Sequence, residues 1–201
     1  MNAHHSLRIS ACMAAIAVFA ALAAATPPAG AADAASSKAK AATIAKGKYL
    51  VSTSGCTDCH TPMKMGANGP EPDLSRMLSG HPEGLKMPPA PVLPEGPWIA
   101  SVGATMTAWS GPWGVSYTAN LTPDAETGLG LWTAKDFRAT IRTGRHLGRG
   151  RPILPPMPIP VVQNFTDADL DAIFAYLQSI PAVKNRVPEP VAPGAPVATV
   201  K

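Results

Sequence analysis

The sequence predicts an all-α domain with long irregular loops. Two segments open on a helix-capping signature and continue with apolar residues at helical spacing. A third, ending near residue 54, carries an approximate apolar helical face. No set of alternating apolar and polar runs marks out strands.

The elements follow in chain order. Arg8 precedes an apolar run over residues 9–25, and Ala29-Gly30-Ala31 then fits the small-residue cleavage pattern of a secretory signal. Residues 1–31 are therefore expected to be a signal peptide. The alternative is an uncleaved membrane anchor, for which 17 apolar residues fall short of the usual span of about 20. Residues 32–42, rich in Ala, Ser and Lys, read as a linker. A helix is expected over 41–54, where Ile44, Tyr49, Leu50 and Val51 form the apolar face.

Residues 61–115 hold 10 prolines and eight glycines, which excludes a long helix and leaves short turns around 74–78. A stretch this long without regular structure is expected to be functional or wrapped on something. Thr133 with Asp136 and Thr166 with Asp169 are N-cap pairs. The first predicts a helix with Phe137 and Ile141 inward, ending near Gly144. The second predicts a helix ended by Pro181, with Leu170, Ile173, Phe174 and Leu177 as its buried stripe and acids suited to the positive N-terminus. The main domain is thus expected over 43–187, followed by a flexible Pro/Ala-rich tail over 188–201.

Composition bounds the function. At 201 residues the chain fits one domain with a real core, yet aromatics make up only 5%. A bulky bound cofactor would supply apolar volume that so few aromatics do not. Without Arg8, 16 basic and 13 acidic residues leave a net of +3, too mild to argue for nucleic acid. A membrane partner is expected only if the N-terminal segment is retained.

Cys12 lies in the signal, so Cys56 and Cys59 are the cysteines left after cleavage. A bridge between them would close a tiny loop and stabilise little. Cys56-Thr-Asp-Cys59-His60 has three chemical readings. A structural zinc site needs four ligands, usually from two paired motifs, and no second pair of cysteines exists; His81 and His146 are isolated. A redox dithiol wants a strand–helix–strand context with a cysteine at a helix N-terminus, whereas the preceding segment reads as helix. Covalent haem attachment needs two thiols for the porphyrin vinyls and a histidine for the iron, which this spacing supplies; export fits as well.

A second axial ligand, or an open site, must then be found. Met63 and Met65 lie too near His60 to reach the opposite face easily, whereas Met77, Met87 and Met106 stay open as candidates. Met157 stands out, because Pro155, Pro156 and Pro158 stiffen its loop between the two best-marked helices. The competing reading of Met157 is a core gap-filler. His146 is a further candidate, histidine being an accepted axial ligand.

With these motifs, the chain resembles a class I c-type cytochrome. It is similar above all to the single-haem modules in cytochrome subunits of periplasmic sugar, alcohol and aldehyde dehydrogenases. Residues 47–51 resemble that family's N-terminal helix and residues 170–180 its C-terminal helix. The resemblance implies one covalent haem c on Cys56 and Cys59, with His60 and Met157 as iron ligands. It implies that the carbonyl of Pro70, in Gly69-Pro70, receives the other ring N–H of His60. It also places Tyr117, Asn120 and Trp132 in the segment covering the haem propionates, where the Tyr117 hydroxyl and Trp132 indole would donate hydrogen bonds. The matches run over residues 46–187. The 97 residues from His60 to Met157 exceed the spacing in compact members.

The function these readings imply is a non-enzymatic one-electron carrier in the periplasm, between a dehydrogenase or other donor and the respiratory chain, whose acceptor is an oxidase or another cytochrome. The alternatives are a small peroxidase-like haem enzyme with an open iron position, and a haem module docked on a larger dehydrogenase. Arg138, Arg142, Arg145, Arg149 and Arg151 form a cationic cluster, read as a solvated face, a docking patch for an acidic redox partner or a counter-charge for the propionates.

Overall fold

The computed structural model describes residues 29–194. The predicted signal peptide lies almost wholly outside these residues. Among those described, no helix is long and apolar enough to cross a membrane.

The first helix, α1 (Ala29–Thr53), starts well before residue 41. The segment read as a linker is its exposed first half, because alanine and lysine favour helix over coil even without a core contact. Its second half packs on α5 (Asp167–Leu177). Gly47 is the point of closest approach, where a β-carbon would overlap the Ala172 carbonyl and lie 2.8 Å from Tyr176 Cβ. Lys46 Nζ reaches Asp169 at 2.6 Å beside this crossing.

Two capping boxes start the later helices, α3 (Ala134–Thr143) and α5, as predicted. In each, the threonine hydroxyl accepts from the N3 backbone N–H, and the N3 aspartate accepts from the threonine N–H. Gly144, at φ 62°, ends α3. Val51, Leu78, Phe137, Ile141, Leu170, Ile173 and Leu177 bury together in the core between α1, α3 and α5.

The fold is not all-α. Two small antiparallel sheets occupy the region read as loop: a hairpin of β1 (Met63–Gly66) and β2 (Gly69–Pro72), and a three-stranded sheet of β3 (Ser101–Val102), β4 (Ala108–Gly111) and β5 (Gly114–Tyr117). Strands of two to four residues are too short to show alternation, and their glycines and prolines read as breakers. The hairpin closes through the two-residue turn Ala67-Asn68, Gly69 already pairing with Gly66 at the start of β2. The sequence signal beside it, Asn68-Gly69, is offset from the turn by one residue.

The start of the tail is also fixed. Val191 exchanges both backbone hydrogen bonds with Val115, each 2.9 Å long. Asn185 is fully buried, donating to the carbonyls of Ser79 and His81 at 2.7 and 2.8 Å and accepting from Arg76 at 2.7 Å. The C-terminal segment therefore straps the loop region onto the helices.

Candidate functional site

Cys56, Cys59 and His60 lie on one short helix, α2 (Cys56–His60), entered through Gly55 at φ 73° and left through extended Thr61. The left-handed Gly55 lets the chain turn sharply out of α1, so the two thiols stand one helical turn apart. Both cysteines are free and half-buried. Burial raises the Cys56 thiol to about 11, and burial also pushes up Cys59. Neither is the low-pKa thiolate that a redox dithiol requires. Zinc is equally ill served: among the described residues no group of three or more His, Cys, Asp or Glu side chains is arranged to hold a metal ion.

His60 is held in one tautomer. Its Nδ1 lies 2.8 Å from the Ala119 carbonyl, and a carbonyl only accepts, so Nδ1 carries the proton. Nε2 is left with a bare lone pair and no protein partner among the described hydrogen bonds. Burial lowers the histidine pKa, outweighing the opposing effect of that hydrogen bond, and keeps the ring neutral. A buried neutral imidazole oriented by a backbone carbonyl is the arrangement of a metal-ligating histidine. These residues fit a covalent haem: two thiols for attachment and one oriented nitrogen for iron.

The carbonyl that orients His60 is therefore Ala119's, not that of Pro70. Pro70 is exposed on β2, paired with Met65 in the hairpin. Sequence reasoning missed Ala119 because any residue can offer a carbonyl; only the chain path decides which one arrives.

The other expected residues separate into two groups. Cys56, Trp132, Met77 and Met157 pack against the same apolar core. The Trp132 ring meets His146 edge-on at 5.2 Å between centroids, and His146 itself is exposed. Tyr117 lies on β5 with its ring 4.8 Å from that of His81, and burial raises its pKa. Asn120 is buried, but its amide donates to Val183 O at 2.8 Å and Thr127 Oγ1 at 3.2 Å. Its oxygen accepts from the Thr122 N–H and hydroxyl. Asn120 thus ties its loop to the C-terminal strap, with protein partners on both ends of the amide.

The Met157 loop is anchored at several points. Ser116 Oγ donates to Pro155 O at 2.5 Å, Ile153 N to Gly144 O at 2.8 Å and Ile159 N to Met157 O at 2.9 Å. Met157 stands just ahead of the short helix α4 (Ile159–Val162).

The arginine cluster is largely occupied within the protein. Arg138 pairs with Asp171 on α5. Arg142 pairs with Asp167 at 2.6 Å and donates to Phe165 O at 2.7 Å. Arg151 meets Glu189 at 3.4 Å, and Arg145 donates to Gly150 O at 3.0 Å. Its clearest role is to fasten α3 to α4 and α5.

Comparison with known proteins agrees with this geometry. The sequence model of the Cytochrome c family matches residues 44–181. The chain is 40% identical over 78 residues to a subunit of the nicotinate dehydrogenase of Pseudomonas putida, covering 38% of this chain and 6% of that protein. It is 33% identical over 81 residues to the cytochrome c subunit of the quinone-dependent alcohol dehydrogenase of Gluconobacter oxydans, covering 39% of this chain and 17% of that protein. The fructose dehydrogenase cytochrome subunit of Gluconobacter japonicus is 26% identical over 153 residues, covering 73% of this chain and 24% of that protein. The matched region is thus a quarter or less of the length of each of these relatives.

Proposed function

Because the chain belongs to the cytochrome c family, we propose that it is an exported, single-haem electron carrier serving a periplasmic dehydrogenase and passing electrons toward the respiratory chain. The observation that carries this reading is His60, neutral, buried and fixed by Ala119 O with Nε2 free for iron, one residue beyond the second of two free thiols. The haem supplies the one-electron couple. Cys56 and Cys59 hold it covalently, so that it is not lost outside the cell. Hydrogen bonding to Ala119 makes the imidazole a stronger donor and fixes its plane.

Met157 is assigned as the distal ligand. Of the candidate methionines, Met77 and Met157 are the two that pack against the core. Met77 adjoins Leu78, whose N–H donates to Thr61 Oγ1 at 3.0 Å, so its segment is tied to the His60 side. Met157 comes from a separately anchored loop. With His60 and Met157 both holding the iron, the haem would have a higher potential than with two histidines and no coordination site left for substrate. That favours electron transfer over a peroxidase-like reaction.

A second reading, a haem module docked on a larger dehydrogenase, is favoured by the names of the relatives, each of which is a subunit of a dehydrogenase. Co-purification with a dehydrogenase in the native host distinguishes the two.

The test is expression with haem-attachment machinery. Intact mass should show one haem bound covalently, and Cys56→Ala or Cys59→Ala should weaken attachment. Met157→Ala should lower the potential and admit carbon monoxide to reduced iron. A chain of bare polypeptide mass overturns the haem reading. An unchanged potential in Met157→Ala overturns the ligand assignment.

A further inference from the structure

We propose that Gly80 is a positioning residue for His60, and that its missing side chain sets how strongly the histidine donates to iron. The inference rests on the haem reading above and adds a residue that touches neither thiol nor the imidazole.

Two segments, 78–81 and 118–121, run side by side next to His60. Leu121 N donates to Leu78 O at 2.9 Å, and His81 N donates to Thr118 O at 3.0 Å. Gly80 sits between these two links. Its N–H donates to the backbone carbonyl of His60 at 2.8 Å, while Ala119 O accepts from the His60 ring at 2.8 Å. One residue thus holds the histidine's backbone and adjoins the peptide that holds its side chain.

The fit leaves no room for a side chain. A β-carbon built on Gly80 would stand 2.6 Å from both the carbon and the oxygen of the Ala119 carbonyl, and closer still to Thr118 O. Ordinary carbon–carbon contact is about 3.5–4.0 Å. Gly80 also has φ +76°, which an L side chain rarely adopts. The segment is clamped from behind, because Asn185 donates to the carbonyls on either side of Gly80, those of Ser79 and His81. A methyl at residue 80 is therefore relieved by displacing the Ala119 carbonyl, the acceptor of the His60 proton.

The consequence has a sign. A weaker Nδ1–H···O bond makes the imidazole a poorer donor, which disfavours the oxidised iron and raises the potential. In the haem-loaded protein, Gly80→Ala should shift the midpoint potential upward and speed solvent exchange of the His60 Nδ1–H in the reduced state. The control is Gly194→Ala, at nearly the same φ of +74° but with nothing within 4 Å of its β-carbon; neither quantity should move. If Gly80→Ala does not accumulate, the wild type still decides. The Gly80 amide and the His60 Nδ1–H should show matching exchange protection and lose it together on warming. Covalent haem with a potential and ring-proton exchange unchanged in Gly80→Ala overturns the inference. A freely exchanging Gly80 amide beside a protected His60 proton does the same. Absence of haem from the wild type overturns instead the reading on which it rests.

Discussion

Gly47→Ala sets helix propensity against packing, and the structure determines the sign. Alanine in a helix interior is favoured over glycine by about 1 kcal/mol. Gly47, however, is where α1 meets α5. A β-carbon there would lie 2.6 Å from the Ala172 carbonyl carbon, 2.8 Å from Tyr176 Cβ and nearer still to the Ala172 oxygen. Two of those atoms are backbone, so no flexible side chain can yield. Restoring ordinary contact at about 3.5–4.0 Å requires the helices to part by roughly an ångström. That loosens the buried layer of Val51, Leu170, Ile173 and Leu177. Overpacking of this kind costs typically about 1–3 kcal/mol, and here the relief is by backbone movement, so the upper part of that range applies. After the propensity gain, a net loss of about 1–2 kcal/mol is expected. For a protein of this size each 1 kcal/mol lowers Tm by roughly 2–4 °C. The assay is guanidinium unfolding of the haem-loaded protein, read as a lower midpoint at unchanged slope. A Gly47→Ala protein more stable than wild type refutes the packing argument, since propensity alone would then govern the site.

Asp169, held down to about 2 chiefly by its hydrogen bond from Lys46 and then by Thr166, contributes stability that is fully present above the ordinary aspartate pKa and lost as pH falls through its folded value. Asp169→Asn should therefore lower stability near neutrality and flatten the acid limb between about pH 4 and 2, measured by thermal melts across that window. Asn185→Ala strips two donors and an acceptor from a fully buried network, and equilibrium unfolding should show a loss of about 2–4 kcal/mol. Arg142→Met breaks the tie from α3 to Asp167 and Phe165 O and should cost about 1 kcal/mol, the pair being partly exposed. Because Arg142 is already paired, electron-transfer rates with an acidic redox partner should keep their salt dependence in that variant; a collapse of that dependence would restore the docking role.

The helical half of the fold was legible because its determinants are local. A threonine and an aspartate three residues apart define a cap wherever they occur, and Phe137–Ile141 or Leu170–Ile173–Leu177 then fix the buried face. The attachment motif was legible for the same reason, since Cys56, Cys59 and His60 sit within one and a half helical turns. The early start of α1 was missed by treating an Ala- and Lys-rich stretch as a spacer when its residues are strong helix formers. The docked start of the tail was missed because it rests on one backbone pairing, Val191 with Val115, whose partner is 76 positions away in the chain.

The two larger errors, an all-α fold and Pro70 as the histidine's partner, meet at one place in the structure. The missing sheet is what brings the correct carbonyl to His60. β5 ends at Tyr117, and the next residue, Thr118, donates to Thr107 O at 2.9 Å while its own carbonyl accepts from His81 N. That double hold launches the chain off the sheet so that Ala119 O arrives at Nδ1, 59 residues from the histidine it orients. The Gly69-Pro70 step instead opens β2 of the β1–β2 hairpin, directly after the turn at Ala67-Asn68. Pro70 was expected because Gly69-Pro70 resembles the family's Gly-Pro, and a resemblance in sequence does not carry the chain path that delivers Ala119 instead. It follows that changes in β4 and β5, although far from the thiols in sequence, act on His60, the proposed iron ligand, through the position of one carbonyl.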